Sequence, residues 1–264
     1  MMKAYVINLD RRPDRLEHFQ AMAAARGFDF IRIAAVDGND PEFVARAATA
    51  PSRITKMPVG PYGIACFESH RKVWRTILES GDPHGLVLED DVVLAEDFGR
   101  LWTDDAWIPA DADFVRLETY MDLARYDPEP ATRVLGRGLH RVRSSVRGTG
   151  AYVVSRKIVP TLLTETEGFH DLPDVALFFR ASPLCRRLVI YQMVPAPAVQ
   201  GNQRKGAPLE DWAMSDLHEE REGPDSEKPD SHTGLRRFKL YWRARYWLRR
   251  VDIRLRRLRE VPFG

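Results

Sequence analysis

Three acids stand in a row in "LVLEDDVVL", residues 86–94: Glu89, Asp90 and Asp91. The leucines and valines on either side read as a short, deeply buried strand. Carboxylates placed there are costly unless something positive meets them. In an α/β sheet, ligands gather beyond the carboxyl ends of the strands. Carboxylates projecting there make a hard oxygen site suited to Mn²⁺ or Mg²⁺. Such an ion can neutralise a diphosphate and act as a Lewis acid on a leaving phosphate. The chain has neither a Walker loop nor a GxGxxG turn. A bound diphosphate would therefore need a metal where other folds use a glycine cradle. Taken alone, the triplet fits a solvated acidic turn as well as a metal site.

The elements that must position these acids follow from hydropathy patterning. "AYVINL" reads as a strand, and "RRPDRLEHFQAMAAARG" as a helix with Pro13 in its first turn and Gly27 as its stop. Leu16, Phe19 and Ala23 give that helix an apolar stripe. "FDFIRIAAVDG" reads as a second strand closed by a turn, and a βαβ start of this kind predicts an α/β fold. "IACFESHRKVWRTILES" is expected to be a helix with Phe67, His70, Trp74 and Ile77 on one face, running into the strand that carries the acids. "DFVRLE" is expected as a strand that ends at Glu118, followed by a loop rich in Asp and Pro. "GTGAYVVSRKIVPTLL" reads as a glycine turn, a strand and a helix, and "RRLVIYQMVPAPAVQ" as one late strand.

Length and composition bound the rest. A chain of 264 residues, 44% hydrophobic and 30% charged, is that of an ordinary soluble globular protein. It contains no apolar run of membrane-spanning length and no signal-peptide pattern at its start. Cys66 and Cys185 lack metal-type spacing and read as unpaired thiols in a reducing compartment, so the expected location is cytoplasmic. The net charge of +2 hides an asymmetry: from Leu235 onward the balance is +9, which leaves the first 234 residues at −7. Residues 205–234 are polar and dotted with Gly and Pro, the composition of a linker. Residues 235–264 read as a basic amphipathic helical tail, with Tyr241, Ala244, Leu248, Val251, Leu255 and Leu258 on one face. At about 1 kcal/mol per basic residue near an anionic surface, such a tail would hold the protein on a membrane. A packed helix with a solvated basic face is the alternative. The acidic body and the absence of a reader motif argue against nucleic acid.

In order and spacing, "YVINLDRRPDRLEHF", "AAVDGND", "PYGIACFESH", "LVLEDDVVL", "GTGAYVVSRK" and "LPDVAL" resemble glycosyltransferase family 25, over roughly residues 3 to 204. The resemblance implies a GT-A fold: a Rossmann-like nucleotide-sugar domain with a mixed, mainly parallel sheet, spanning residues 1–204. It also implies a UDP-sugar donor, a divalent metal and inversion at the anomeric carbon. Matched to the family's motifs, Asp91 becomes the direct ligand of Mn²⁺ or Mg²⁺. Asp90 contacts the ribose or the metal's water, and Glu89 supports the metal site. Asn8, Arg15 and Asp37 are placed at the uridine, and Ser69 and His70 match a donor-site signature. Tyr62 and Ala65 stand where the family has glycines. A nucleophilic Ser–His pair fits poorly, because adjacent residues on a helix point in different directions.

The transfer needs a carboxylate base. Asp174 in "LPDVAL" matches the first Asp of the family's segment, where the second is Val175; Asp171 is the reserve. Gly148, Thr149 and Gly150 are expected to bring backbone up to the donor sugar, and Gln200 matches a late glutamine. Each of these has a plain structural alternative: a salt bridge for Arg15, a turn for Asp37, a core contact for His70, a helix cap for Asp174. The implied activity is hexose transfer, galactose favoured, to lipopolysaccharide or a related glycan or glycolipid at the cytoplasmic face of the inner membrane. A nucleotide-sugar-binding protein without turnover is the competing reading. A metal-dependent nuclease or phosphatase is a third, weakened by the lack of a second acidic cluster at a strand end.

Overall fold

The computed structural model describes residues 2–47, 50–56, 58–102, 104–168, 171–203, 212 and 258–264. Strand β1 (Lys3–Asn8), helix α1 (Pro13–Arg26) and strand β2 (Ile31–Ala34) form the expected βαβ unit. Pro13 starts α1, where its missing N–H costs nothing. Gly27 ends it in the left-handed region at φ 71°. After the short α2 (Pro41–Arg46), a two-residue ladder joins β3 (Ala50–Pro51) to β4 (Pro58–Val59). Then come the long α3 (Pro61–Ser80) and β5 (His84–Glu89), which stops at the first of the three acids.

The triplet does not lie within one strand. Asp90 and Asp91 turn the chain out of β5 and into β6 (Val92–Leu94), which belongs to a second sheet. "DFVRLE" divides in the same way into β7 (Phe114–Arg116) and β8 (Glu118–Thr119). The expected Asp- and Pro-rich loop contains β9 (Leu123–Ala124) and the start of a hairpin between β10 (Thr132–Val134) and β11 (Arg137–Arg141). Arginines and a histidine hid the period-two signal of that hairpin. Next follow β12 (Ala151–Ser155), α4 (Val159–Glu165), α5 (Pro173–Phe178) and α6 (Pro183–Arg187). The single late strand expected from sequence is two, β13 (Ile190–Val194) and β14 (Ala198–Gln200), separated by the Pro195 and Pro197 segment. A last short strand is β15 (Arg259–Glu260).

The main sheet has eight strands in the order β10-β11-β13-β7-β12-β5-β1-β2. Only β11 and β12 run against the others, so the sheet is mixed and mainly parallel, as expected of a GT-A domain. A small sheet, β6-β14-β8, continues from the ends of β5, β13 and β7. Both faces of the main sheet are buried. Ala4, Val6, Leu86 and Leu88 pack with Phe19 and Met22 of α1 on one face. Tyr5, Ile7 and Val87 pack with Phe67, Trp74 and Ile77 of α3 on the other. This alternation is why β5 reads as a continuous apolar run. It also places α1 and α3 on opposite faces, with β1 between β2 and β5. That reversal opens a crevice at the carboxyl ends of β1, β2 and β5.

The linker apart from residue 212, and the basic segment as far as residue 257, lie outside the described residues. Residues 258–264 are not helical. Arg259 and Glu260 pair with β9, Val261 is buried, and Gly264 accepts from Arg137 at 3.1 Å. The chain thus returns to the body after the basic run, where the sequence suggested a helix continuing to residue 264.

Candidate active site

The cleft at the ends of β1 and β5 is lined by Asn8, Arg15, Gly38, Tyr62, Ala65, Cys66, Ser69, His70 and the three acids, among others. Register explains the meeting: Ile7 pairs with Glu89, so Asn8 lies beside Asp90. Asn8 Nδ2 donates to Asp90 Oδ2 at 2.7 Å. Arg15, on the first turn of α1, reaches Asp90 Oδ1 at 3.4 Å. Arg15 is buried at 4% exposure, so its surface salt-bridge alternative is not what forms.

Glu89 is held from three sides. It accepts from Thr149 Oγ1 at 2.9 Å and from Gln200 Nε2 at 3.4 Å, and it faces His70 Nε2 at 3.2 Å. Trp74 Nε1 can only donate, and it donates to the Tyr152 hydroxyl at 3.0 Å. Tyr152 then sends its own proton to His70 Nδ1, 2.9 Å away. That network assigns the hydrogen on His70 to Nε2, from which it is donated to Glu89. His70 is therefore a fully buried histidine that still presents one edge to the cleft.

Asp91 is different. It is buried, and its Oδ1 has no hydrogen-bond partner among the described residues. Burial, then the charges of Glu89 and Asp90, raise its pKa to about 8, against a smaller opposing pull from Arg15. A buried carboxylate with an orphaned oxygen is the kind of donor a hard divalent ion takes, and Glu89 and Asp90 precede it in the chain. A second grouping lies at the back of the cleft, where ligand atoms of Cys66, His70 and Glu89 fall within 4.8 Å of one another. Its sulfur and nitrogen suit a softer ion such as Zn²⁺. Both of its ring nitrogens already have partners, and burial pushes the Cys66 thiol up. By hardness of the donor, the free oxygen of Asp91 suits Mn²⁺ or Mg²⁺ better than the sulfur and nitrogen of that grouping do.

A second carboxylate group lies across the 148–150 turn. Asp174, at the start of α5, is half-buried and accepts from Gly148 N at 3.2 Å. Burial raises its pKa, and the N–H groups of Gly148 and Val175 hold it down. Glu118, barely weighed from sequence, is fully buried and accepts from Gly150 N at 2.7 Å. Burial pushes its pKa well up, against the pull of Arg116. Tyr120 donates to Gln200 Oε1 at 2.7 Å, which joins this group to Glu89. Glu118 closes the expected strand "DFVRLE" and in the structure opens β8, just past the end of β7, so its place at a strand end was the signal that could have found it.

Other expected residues have different placements. Asp171 is fully buried and accepts from Ser52 and from Ile54 N, which makes it the clamp of the 52–55 turn. Those contacts give it a structural role, and Asp174 remains the first choice of base. Ser69 accepts from Val36 N and donates to Ala65 O, both at 2.8 Å, and so fastens the 35–38 loop to α3. Asp37 accepts from Asn39 N at 2.9 Å and from Arg11 at 3.0 Å, so it makes the turn that was its structural alternative. Tyr62, at a family glycine position, packs on Gly38, where a Cβ would come within 2.8 Å of its Cα. Gly148 and Gly150 turn their amides to carboxylates of the protein, a use that the expected approach to a sugar did not foresee.

A mixed α/β sheet with an acid-lined cleft at the carboxyl ends of its parallel strands defines the class: a Rossmann-like ligand-binding domain. The family model described as glycosyltransferase family 25 (LPS biosynthesis protein) matches residues 1–176, and the chain belongs to that family of glycosyltransferases. It is 30% identical over 210 residues to the lacto-N-neotetraose biosynthesis glycosyltransferase LgtB of Neisseria meningitidis, a match covering 75% of this chain and 74% of that protein. LgtE of Neisseria gonorrhoeae is 26% identical over 234 residues, covering 84% and 82%. Among solved structures, a glycosyltransferase involved in glycosylation of the major capsid of PBCV-1 aligns with a TM-score of 0.43 at 9% identity, covering 83% of this chain and 98% of that one.

Proposed function

We propose that the protein transfers a hexose, galactose favoured, from a UDP-sugar to a lipopolysaccharide or related glycan, with inversion and with Mn²⁺ or Mg²⁺. The observation that carries this reading is Asp91, a buried carboxylate with an orphaned oxygen at the end of β5. Family membership supplies the reaction class. The similarity to LgtB and LgtE, named for oligosaccharide biosynthesis, supports the acceptor class. When bound at Asp91, with Asp90 and Glu89 beside it, the metal would offset the charge of the leaving diphosphate.

In this reading Asn8 and Arg15 hold Asp90 in place, and the edge of the cleft beside β1 receives the uridine. Asp174 takes the proton from the acceptor hydroxyl while that oxygen bonds to the anomeric carbon. The bond from that carbon to the diphosphate breaks, and UDP departs with its electron pair. A carboxylate whose pKa is raised by burial is a stronger base than an exposed one, which suits this role. Release of UDP in the presence of Mn²⁺ and a bacterial glycan acceptor, measured across nucleotide sugars, tests the reading. Absence of release from every donor would defeat it and favour binding without turnover.

Among the described residues no helix is long and apolar enough to cross a membrane. The basic run within 235–257 supports peripheral attachment to an anionic surface at the cytoplasmic face of the inner membrane. Co-sedimentation with anionic vesicles that is lost on neutral vesicles is the expected result. Equal binding to both would remove this part of the proposal.

A further inference from the structure

Three consecutive residues each donate to a different carboxylate. Gly148 N donates to Asp174, Thr149 Oγ1 to Glu89 and Gly150 N to Glu118. The 148–150 turn therefore lies between the metal-side acids and the base assigned above. Something must fix the turn itself, and two residues at the junction of β7 and β8 do so. Arg116 Nη2 donates to Arg147 O at 2.5 Å, just before the turn, and Glu118 accepts from Gly150 at its end. The guanidinium takes a carbonyl and the carboxylate takes an N–H, so the pair grips both polarities of one short segment.

The fit leaves no slack. A Cβ on Gly148, which sits at φ 91°, would come within 2.5 Å of Glu118 Oε2 and of Tyr120. One on Gly150 would meet Glu118 Oε1 and Val92 Cγ1, each at 2.9 Å. Behind the pair, Gln192 Nε2 donates to the carbonyls of Arg116 and Glu118, at 3.4 and 3.1 Å. Stability alone does not account for this arrangement. Arg116 and Glu118 are 2% and 1% exposed, and Arg116 Nε, Arg116 Nη1 and Glu118 Oε1 have no hydrogen-bond partner among the described residues. Buried polar groups left part-satisfied cost free energy that an apolar pair would not.

We propose that Glu118, with Arg116, is a positioning residue: it locks the 148–150 turn and thereby sets Asp174 against the metal-side carboxylates. The proposal rests on the reading of Asp174 as base. Glu118 acts by accepting a hydrogen bond within a rigid shape, so the isosteric Glu118→Gln keeps the function and Glu118→Ala loses it.

The test compares kcat, KM and UDP affinity, the last by calorimetry with Mn²⁺, for wild type, Glu118→Ala and Glu118→Gln. Glu118→Ala is expected to lower kcat about 100-fold, the effect of a displacement near 1 Å, with UDP affinity unchanged. Freed from the Gly148 N–H, Asp174 should titrate higher, so the acid limb of kcat/KM moves to higher pH. Glu118→Gln should restore most of kcat and the original limb. The proposal is overturned if Glu118→Ala keeps wild-type kcat, or if Glu118→Gln is as impaired as Glu118→Ala. Should Glu118→Ala not fold, Gly150→Ala carries the same test with the carboxylate intact. A wild-type kcat in that variant would then overturn the proposal. Asp174→Asn is the control: full activity there sinks the functional reading, whereas its loss beside a fully active Glu118→Ala sinks this proposal alone.

Discussion

Asp91 concentrates the chemistry of the site in one side chain. Its Oδ1 lacks a partner, and burial with two neighbouring acids keeps its proton on to about pH 8. An unfolded aspartate ionises near pH 4. Between about pH 4 and about pH 8 the folded protein thus holds a proton that the unfolded chain has released. Without metal, the stability due to this residue is fully present below about pH 4 and is lost as pH rises through about 8. Urea denaturation of the metal-free protein should therefore show Asp91→Asn more stable than wild type at pH 8, and added Mn²⁺ should stabilise only the wild type. Mn²⁺ affinity should rise as pH increases through about 8, where the ion no longer competes with the proton. Asp91→Ala should lower turnover about 1,000-fold, the equivalent of several kcal/mol of charge stabilisation. Asp174→Asn should lower kcat by about 100- to 10,000-fold, the usual range for a general base, while UDP still binds in calorimetry.

At the scale of elements, the site depends on where strands stop. β5 ends at Glu89 and β7 at Arg116, and each chain then crosses into the small sheet, so carboxylates collect along the seam between the sheets. Helix α3 adds the chain of contacts Trp74–Tyr152–His70–Glu89. Tyr152→Phe removes the acceptor of a buried indole N–H and the proton that sets the His70 tautomer. It should cost about 1–3 kcal/mol of stability, the penalty for a buried unsatisfied group, measured by urea unfolding. Trp74→Phe made on top of it should cost less than it does alone, because the bond between them is already gone.

For the whole molecule, residues 258–264 lie against the catalytic body. Val261 is buried and its carbonyl accepts from Thr119 Oγ1 at 2.5 Å, one residue from Glu118. Gly264 accepts from Arg137, which also grips Asp97 at 2.6 Å. A protein ending at Arg257 should lose about 1.5–3 kcal/mol from Val261 burial alone, seen as a lower melting temperature. Its kcat should fall as well, because β8 loses a support. An unchanged melting temperature would mean that these contacts are not formed in solution.

Sequence alone determined the βαβ start, the helix limits at Pro13 and Gly27, the α/β class and the acidic strand end. Each is written in local periodicity or in a residue with a strong backbone preference. It also brought Asp91, Asp174 and Gln200 forward through motif order. Tertiary structure decided which carboxylates have partners and which do not. Asp90 meets Asn8 because β1 and β5 are in parallel register, and Asp171 spends its charge on a distant turn. It likewise turned the glycine turn from an expected sugar contact into a junction among three acids, and it gave Glu118 its place there. These outcomes depend on groups far apart in the chain, and burial sets their charge states. No local pattern encodes either.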